Sequence, residues 1–187
     1  MYKSLTFLPR AAVEDLFNKT EAMADAQSRV LISMSTPFDK LNGSWCRPAK
    51  AMPSCWRDVL FLQFHDCDNR HIYHRETVIM PIDDEQAYEI LRFLKKHQDD
   101  DAELYINCEG GQSRSAGVAV FARDIYGLDI WKIQLDSKDV PVLFKHPVMD
   151  KWNRRVHSTL VRLYGLCLAG KGKIPADELP GISTIQK

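Results

Sequence analysis

The chain has 187 residues, 45% of them apolar and 27% charged, a size and composition that fit one well-filled core. Its 25 basic residues balance 25 acidic ones, so no global field draws it to nucleic acid or to an anionic membrane, and any affinity for phosphate must be local. Residues 1–9 hold no apolar run of signal-sequence length, no stretch approaches a transmembrane span, and five cysteines without regular spacing suit a reducing cytoplasm.

Residues 5–8 read as a short first strand. Pro9 then opens a helix predicted over about 10–26, with Val13, Leu16, Phe17 and Met23 available for a buried face. The apolar run 29–34 predicts a buried strand, and 36–54, with Pro37, Gly43, Pro48 and Pro53, a long loop. Residues 59–64 form the next predicted strand, followed by a polar, histidine-bearing loop to about 82. Asp83 or Asp84 is placed to cap a helix running to about 97, with Ala87, Ile90, Leu91 and Leu94 on one side. Asp99, Asp100 and Asp101 read as a solvated turn, because adjacent carboxylates do not converge on an ion without a shaped loop. A strand over 104–107 leads into a helix that ends near Tyr126, with Gly127 as its stop. A last helix is predicted over about 148–168, where Trp152, Val156, Leu160, Leu163 and Cys167 recur at helical spacing.

Strands and helices alternate, which predicts an α/β fold: a central, mainly parallel sheet flanked by helices on both faces, in a single domain over 1–169. Residues 170–187, small, charged and proline-bearing, are expected to form a flexible tail. The loop after strand 104–107 then lies where such sheets bind ligands, beyond the carboxyl end of a strand.

That loop carries the chemistry: Asn107-Cys108-Glu109-Gly110-Gly111-Gln112-Ser113-Arg114-Ser115. A cysteine and an arginine six positions apart can clasp one tetrahedral dianion, helped by the intervening N–H groups and the dipole of the following helix. Gly110 and Gly111 permit the tight turns of an anion-binding loop. Cys108 is the candidate nucleophile, its thiolate favoured by Arg114 and the loop amides. The fork of Arg114 suits two phosphate oxygens at once. Glu109 has the wrong charge for a phosphate and is expected to turn toward an adjacent loop. Ser115 is placed to hydrogen-bond the sulfur, or to cap the helix, or both.

The segment from 107 to 115 resembles the phosphate-binding loop of the cysteine-dependent protein tyrosine phosphatases, His-Cys-x5-Arg-Ser/Thr, and looks closest to the compact dual-specificity-like branch of bacteria and phages. The likeness is strong over about 59–126, moderate to about 166, and weak before 54. It implies a phosphatase-like fold and hydrolysis of phosphotyrosine, with phosphoserine or phosphothreonine as further substrates, through a phosphocysteine intermediate. It also implies that residues Glu109, Gly110, Gly111, Gln112, Ser113 and Arg114 bind the phosphate of a phosphorylated protein or peptide, and that neither metal nor cofactor takes part. The family's general acid is an aspartate on a loop upstream of the cysteine. Asp66 matches that context, Asp68 is the alternative two residues on, and Asp83 or Asp84 follow. Asn153 resembles an asparagine that supports the loop in relatives, although a solvent-facing asparagine fits the sequence nearly as well. Asn107 stands where the family has histidine. It offers an amide donor and acceptor but no ionisable group, so the loop is expected to form with activity reduced rather than absent.

Other assignments share these residues. Phosphatases of inositol lipids often carry lysines within the loop, and none lies between Gly110 and Ser113. Enzymes acting on RNA 5′ ends, a phosphate-binding pseudophosphatase and a rhodanese-like sulfur carrier are further alternatives, the last disfavoured by the upstream aspartate and the Arg114-Ser115 pair. Cys46, Cys55, His65, Cys67, His71 and His74 could ligate zinc, but their spacings fit none of the strong patterns. Lys151, Arg154, Arg155 and Arg162 read as a solvated basic helix face, with a surface for an acidic partner as the other option.

Overall fold

The structure is a computed structural model that describes residues 1–17, 25–37, 47–67, 73–74, 77–137, 141–146 and 152–181. In chain order its elements are β1 (Ser4–Pro9), α1 (Arg10–Leu16), β2 (Arg29–Ser35), β3 (Asp58–Gln63), β4 (Tyr73–His74), β5 (Thr77–Val78), α2 (Asp84–His97), β6 (Glu103–Cys108), α3 (Arg114–Tyr126), β7 (Ile130–Leu135), β8 (Pro141–Lys145) and α4 (Arg154–Leu168). Six strands make one sheet in the order β3-β2-β6-β1-β7-β8, parallel except for the β7–β8 pair, and β4 and β5 form a separate antiparallel hairpin.

Alternation along each strand feeds two cores. On β2, Val30, Ile32 and Met34 join a cluster with α2, α3 and α4, while Leu31 points to the opposite face with Ala12 and Val13 of α1. Chain direction explains the split. From β1 to β2 the chain moves one way along the sheet, whereas β3 to β6 and β6 to β7 move the other way. Right-handed crossovers therefore place α1 on one face and α2 and α3 on the other. The two directions part between the neighbouring strands β1 and β6, which opens a crevice at their carboxyl ends.

The molecule is thus an α/β domain with a mostly parallel six-stranded sheet and four helices among the described residues. Asp83 caps α2 in a reciprocal box with Gln86, and Gly127 ends α3, as the sequence predicts. Several elements differ from expectation. Helix α1 stops at Leu16 rather than near 26, with Phe17 as its C-cap and the Phe17 ring packed against Trp56 and Tyr105; Met23 lies outside the described residues. Strands β7 and β8 and the small hairpin extend beyond the predicted set. Helix α4 begins at Arg154 rather than 148, since Asn153 caps it, and Trp152 precedes it. The expected tail is docked as far as 181: Ile174 and Leu179 are buried in the main core, Tyr164 donates to the Pro180 carbonyl (2.9 Å), and the Gly181 amide donates to Gln98 Oε1 (2.7 Å). Asp100 is likewise more than a solvated turn residue, since it pairs with His97 and Arg57. Among the described residues, no helix is long and apolar enough to cross a membrane.

Candidate active site

Cys108 ends β6 in the crevice between the two chain directions and is 2% exposed. The chain then loops through 109–113 and enters α3. Gly111 takes φ +58°, and a Cβ there would lie 2.5 Å from the carbonyl carbon of Leu8, on the end of β1. Glycine is required twice, for the left-handed backbone and for this close approach. The Arg10 amide donates to the Glu109 carbonyl (3.2 Å), a second tie between the loop and the β1 end. Among the described residues, no hydrogen bond uses the amide hydrogens of 110–113 as donors. At the start of a helix this leaves a concave set of donors suited to an anion.

The Ser115 hydroxyl lies 3.2 Å from Cys108 Sγ, with both residues buried. Ser115 is the second residue of α3 and does not cap it. Ser113 occupies the cap position without bonding there, because its hydroxyl is used elsewhere. Arg114 is also buried, and a buried guanidinium needs partners. Nη1 donates to the Phe64 carbonyl (2.6 Å), Nη2 contacts Glu109 Oε2, and Nε is 3.9 Å from Asp66 Oδ2. Glu109 Oε1 accepts the Thr36 amide (2.6 Å), so this carboxylate reaches the adjacent loop as expected and also holds Arg114, which the sequence did not suggest.

Asp66 follows β3 and faces the loop. Its Oδ1 accepts from Ser113 Oγ (2.7 Å) and from Asn153 Nδ2 (2.7 Å). Asn153 is buried rather than solvent-facing. Its Oδ1 caps α4 by accepting the Val156 amide (3.0 Å), and its own amide donates to the Ser113 carbonyl (3.1 Å). Helices α3 and α4 touch closely here, since a Cβ on Gly117 would lie 2.8 Å from the Asn153 carbonyl oxygen. Glu109, Arg114, Asp66, Ser113 and Asn153 therefore form one network of side-chain contacts, and Cys108 with Ser115 forms a second pair at the two ends of the same loop. Gly110 and Gln112 complete the loop without side-chain bonds of this kind.

Asn107 is buried beside Ser33, its register neighbour on β2, and neither Asn107 Oδ1 nor Ser33 Oγ finds a hydrogen-bond partner among the described residues. Asp68 lies outside the described residues. Asp83 and Asp84 are engaged at the start of α2, Asp83 by the Gln86 amide and Asp84 by Arg162. Of the zinc candidates, Cys46 and His71 lie outside the described residues. Cys55 packs with Ala49 and Trp56 on the α1 face, whereas His65 braces Met80. The side chain of His74 also lies outside the described residues, among which no three His, Cys, Asp or Glu side chains come together as metal ligands. Arg154, Arg155 and Arg162 line a cleft rather than a plain solvated face, with Lys151 outside the described residues.

Comparison with family models, with curated proteins and with solved structures finds no match to the chain.

Proposed function

We propose that the protein is a cysteine-dependent phosphatase that hydrolyses phosphotyrosine in a protein or peptide through a phosphocysteine intermediate. The observation that carries this reading is one loop of unengaged amides bounded by Cys108 Sγ with Ser115 Oγ at 3.2 Å and by Arg114, whose Nε lies 3.9 Å from the Asp66 carboxylate. Those amides and Arg114 hold the three non-bridging oxygens, a matter of positioning and electrostatics. Sγ attacks phosphorus, the bond to the tyrosyl oxygen breaks, and Asp66 gives that oxygen a proton. Water, deprotonated by Asp66, then attacks the phosphocysteine; the P–S bond breaks and Ser115 donates toward the departing sulfur. The chemistry needs a reduced Cys108, in keeping with free Cys55, Cys67, Cys108 and Cys167 and a cytoplasmic setting. Glu109 against Arg114, and a loop without lysine, argue against a multiply phosphorylated lipid headgroup, which asks for surplus cations.

The test is aryl phosphate turnover by the wild type and two variants. Cys108→Ser abolishes turnover and keeps phosphate binding; Arg114→Lys loses both, because one ammonium does not replace the fork. A chelator leaves the wild-type rate unchanged. Turnover retained in Cys108→Ser overturns the assignment, and inhibition by the chelator transfers the chemistry to a metal.

A further inference from the structure

A cleft of about 990 Å³ lies between residues 80–84 and the first turns of α4, lined by Arg154, Arg155, Ser158, Thr159 and Arg162 on the helix side. Both walls are tied to the immediate surroundings of Asp66. On one wall, the His65 amide donates to the Met80 carbonyl (2.7 Å) and the Met80 amide donates to His65 Nδ1 (3.0 Å). The other wall starts at Asn153, whose side chain donates to Asp66 itself. The cleft therefore borders Asp66, on the side where the residues flanking a phosphate over Cys108 are within its reach.

The charges in the cleft are unevenly used. Arg162 pairs with Asp84, and Asp83 accepts the Gln86 amide as the cap of α2. Arg155 is half-buried, and its Nε is buried without a hydrogen-bond partner among the described residues. Arg154 is exposed and makes no ion pair among the described residues. Both arginines lie in the first turn of α4, which holds no acidic residue. Cations at that end oppose the helix dipole, which favours negative charge there. The local field is therefore that of a site awaiting an anion, and a guanidinium is suited to a carboxylate in a fork.

We propose that this cleft is a subsite for an acidic residue flanking the phosphorylated residue of a peptide substrate, read by Arg154 and Arg155. The proposal rests on the phosphatase reading and adds a substrate preference to it. It is tested with phosphotyrosine peptides in which glutamate replaces alanine at successive flanking positions, compared by kcat/KM. The wild type should favour glutamate at one side by about tenfold, the scale of a hydrogen-bonded charge pair. In Arg154→Gln/Arg155→Gln the preference should fall below about twofold, with turnover of a small aryl phosphate unchanged; Arg155→Lys, which keeps the charge and loses the fork, should lie between. Equal kcat/KM for all flanks in the wild type, or a preference that survives the double substitution, overturns the subsite. Absence of aryl phosphate turnover in the wild type instead overturns the phosphatase reading, and the subsite with it.

Discussion

Two donors, from Ser113 and Asn153, converge on the same oxygen of Asp66. A proton delivered by this carboxyl therefore has its place on Oδ2. Asp66→Asn keeps an acceptor for both donors and removes only the transferable proton. It should lower kcat/KM, which reports formation of the phosphocysteine, by about 10²–10⁴-fold for phosphotyrosine and far less for an activated aryl phosphate. If Asp68→Asn shows that pattern and Asp66→Asn does not, the acid lies two residues further on. Gly111→Ala should abolish activity with loss of stability, read by thermal unfolding, because its Cβ meets the backbone of Leu8 and Pro9 at a left-handed φ. Cys108 to Ser115 was legible in the sequence because those residues are contiguous and their spacing is the signal. The bonds from Asp66 to Ser113 and Asn153 cross 47 and 87 positions, and no local pattern announces them. The hold of Glu109 on Arg114 was hidden for another reason: one carboxylate serves both Thr36 and the guanidinium.

At the level of elements, Asn153 joins the stability of α4 to the placement of Asp66. Asn153→Asp preserves the cap of α4 but sets a carboxylate against Asp66. Its melting temperature should stay near wild type while turnover of phosphotyrosine drops about tenfold, whereas Asn153→Ala should also lose about 1 kcal/mol of stability with the cap. A second junction ties β3 to α2, where Asp58 Oδ2 accepts from Lys96 (2.6 Å) and lies 2.8 Å from His97 Nε2. Burial pushes the Asp58 carboxyl up, but the hydrogen bonds from Lys96 and His97 outweigh it and hold the group below its ordinary range. A carboxyl depressed in the folded state stabilises above its unfolded value of about 3.9 and ceases to do so as pH falls through the folded value. The stability gap between wild type and Asp58→Asn, followed by denaturation at each pH, should therefore narrow as pH falls below the unfolded value and on through the lower folded one. Helix α2 was legible because its cap and apolar stripe are both local. Strands β7 and β8 were not: β7 mixes Lys132 and Gln134 with its apolar residues, and β8 is an edge strand with Val142 and Leu143 exposed, so neither has a clean buried run.

Across the whole molecule, topology puts the site where it is. The divergence of crossovers between β1 and β6 makes the crevice, and the return of the chain beyond α4 closes the core below it. Alternation of strands and helices was enough to predict the layers, while strand order depends on long-range pairing that the sequence pattern does not encode. The docked segment after α4 was read as a tail because its composition is polar, yet two well-placed apolar residues, Ile174 and Leu179, suffice to bury it. Truncation after residue 169 should cost about 3–6 kcal/mol from those two side chains and lower the melting temperature by about 10 °C. The central claim, that Cys108 carries the phosphoryl group, is tested most directly by acid-quenching the protein during incubation with a labelled activated aryl phosphate and mapping the label by peptide mass spectrometry. Phosphate on the sulfur of Cys108 in the wild type, increased when hydrolysis of the intermediate is slowed by Asp66→Asn, is the result predicted. Turnover with no label on Cys108 in either protein, or label on another residue, would contradict it.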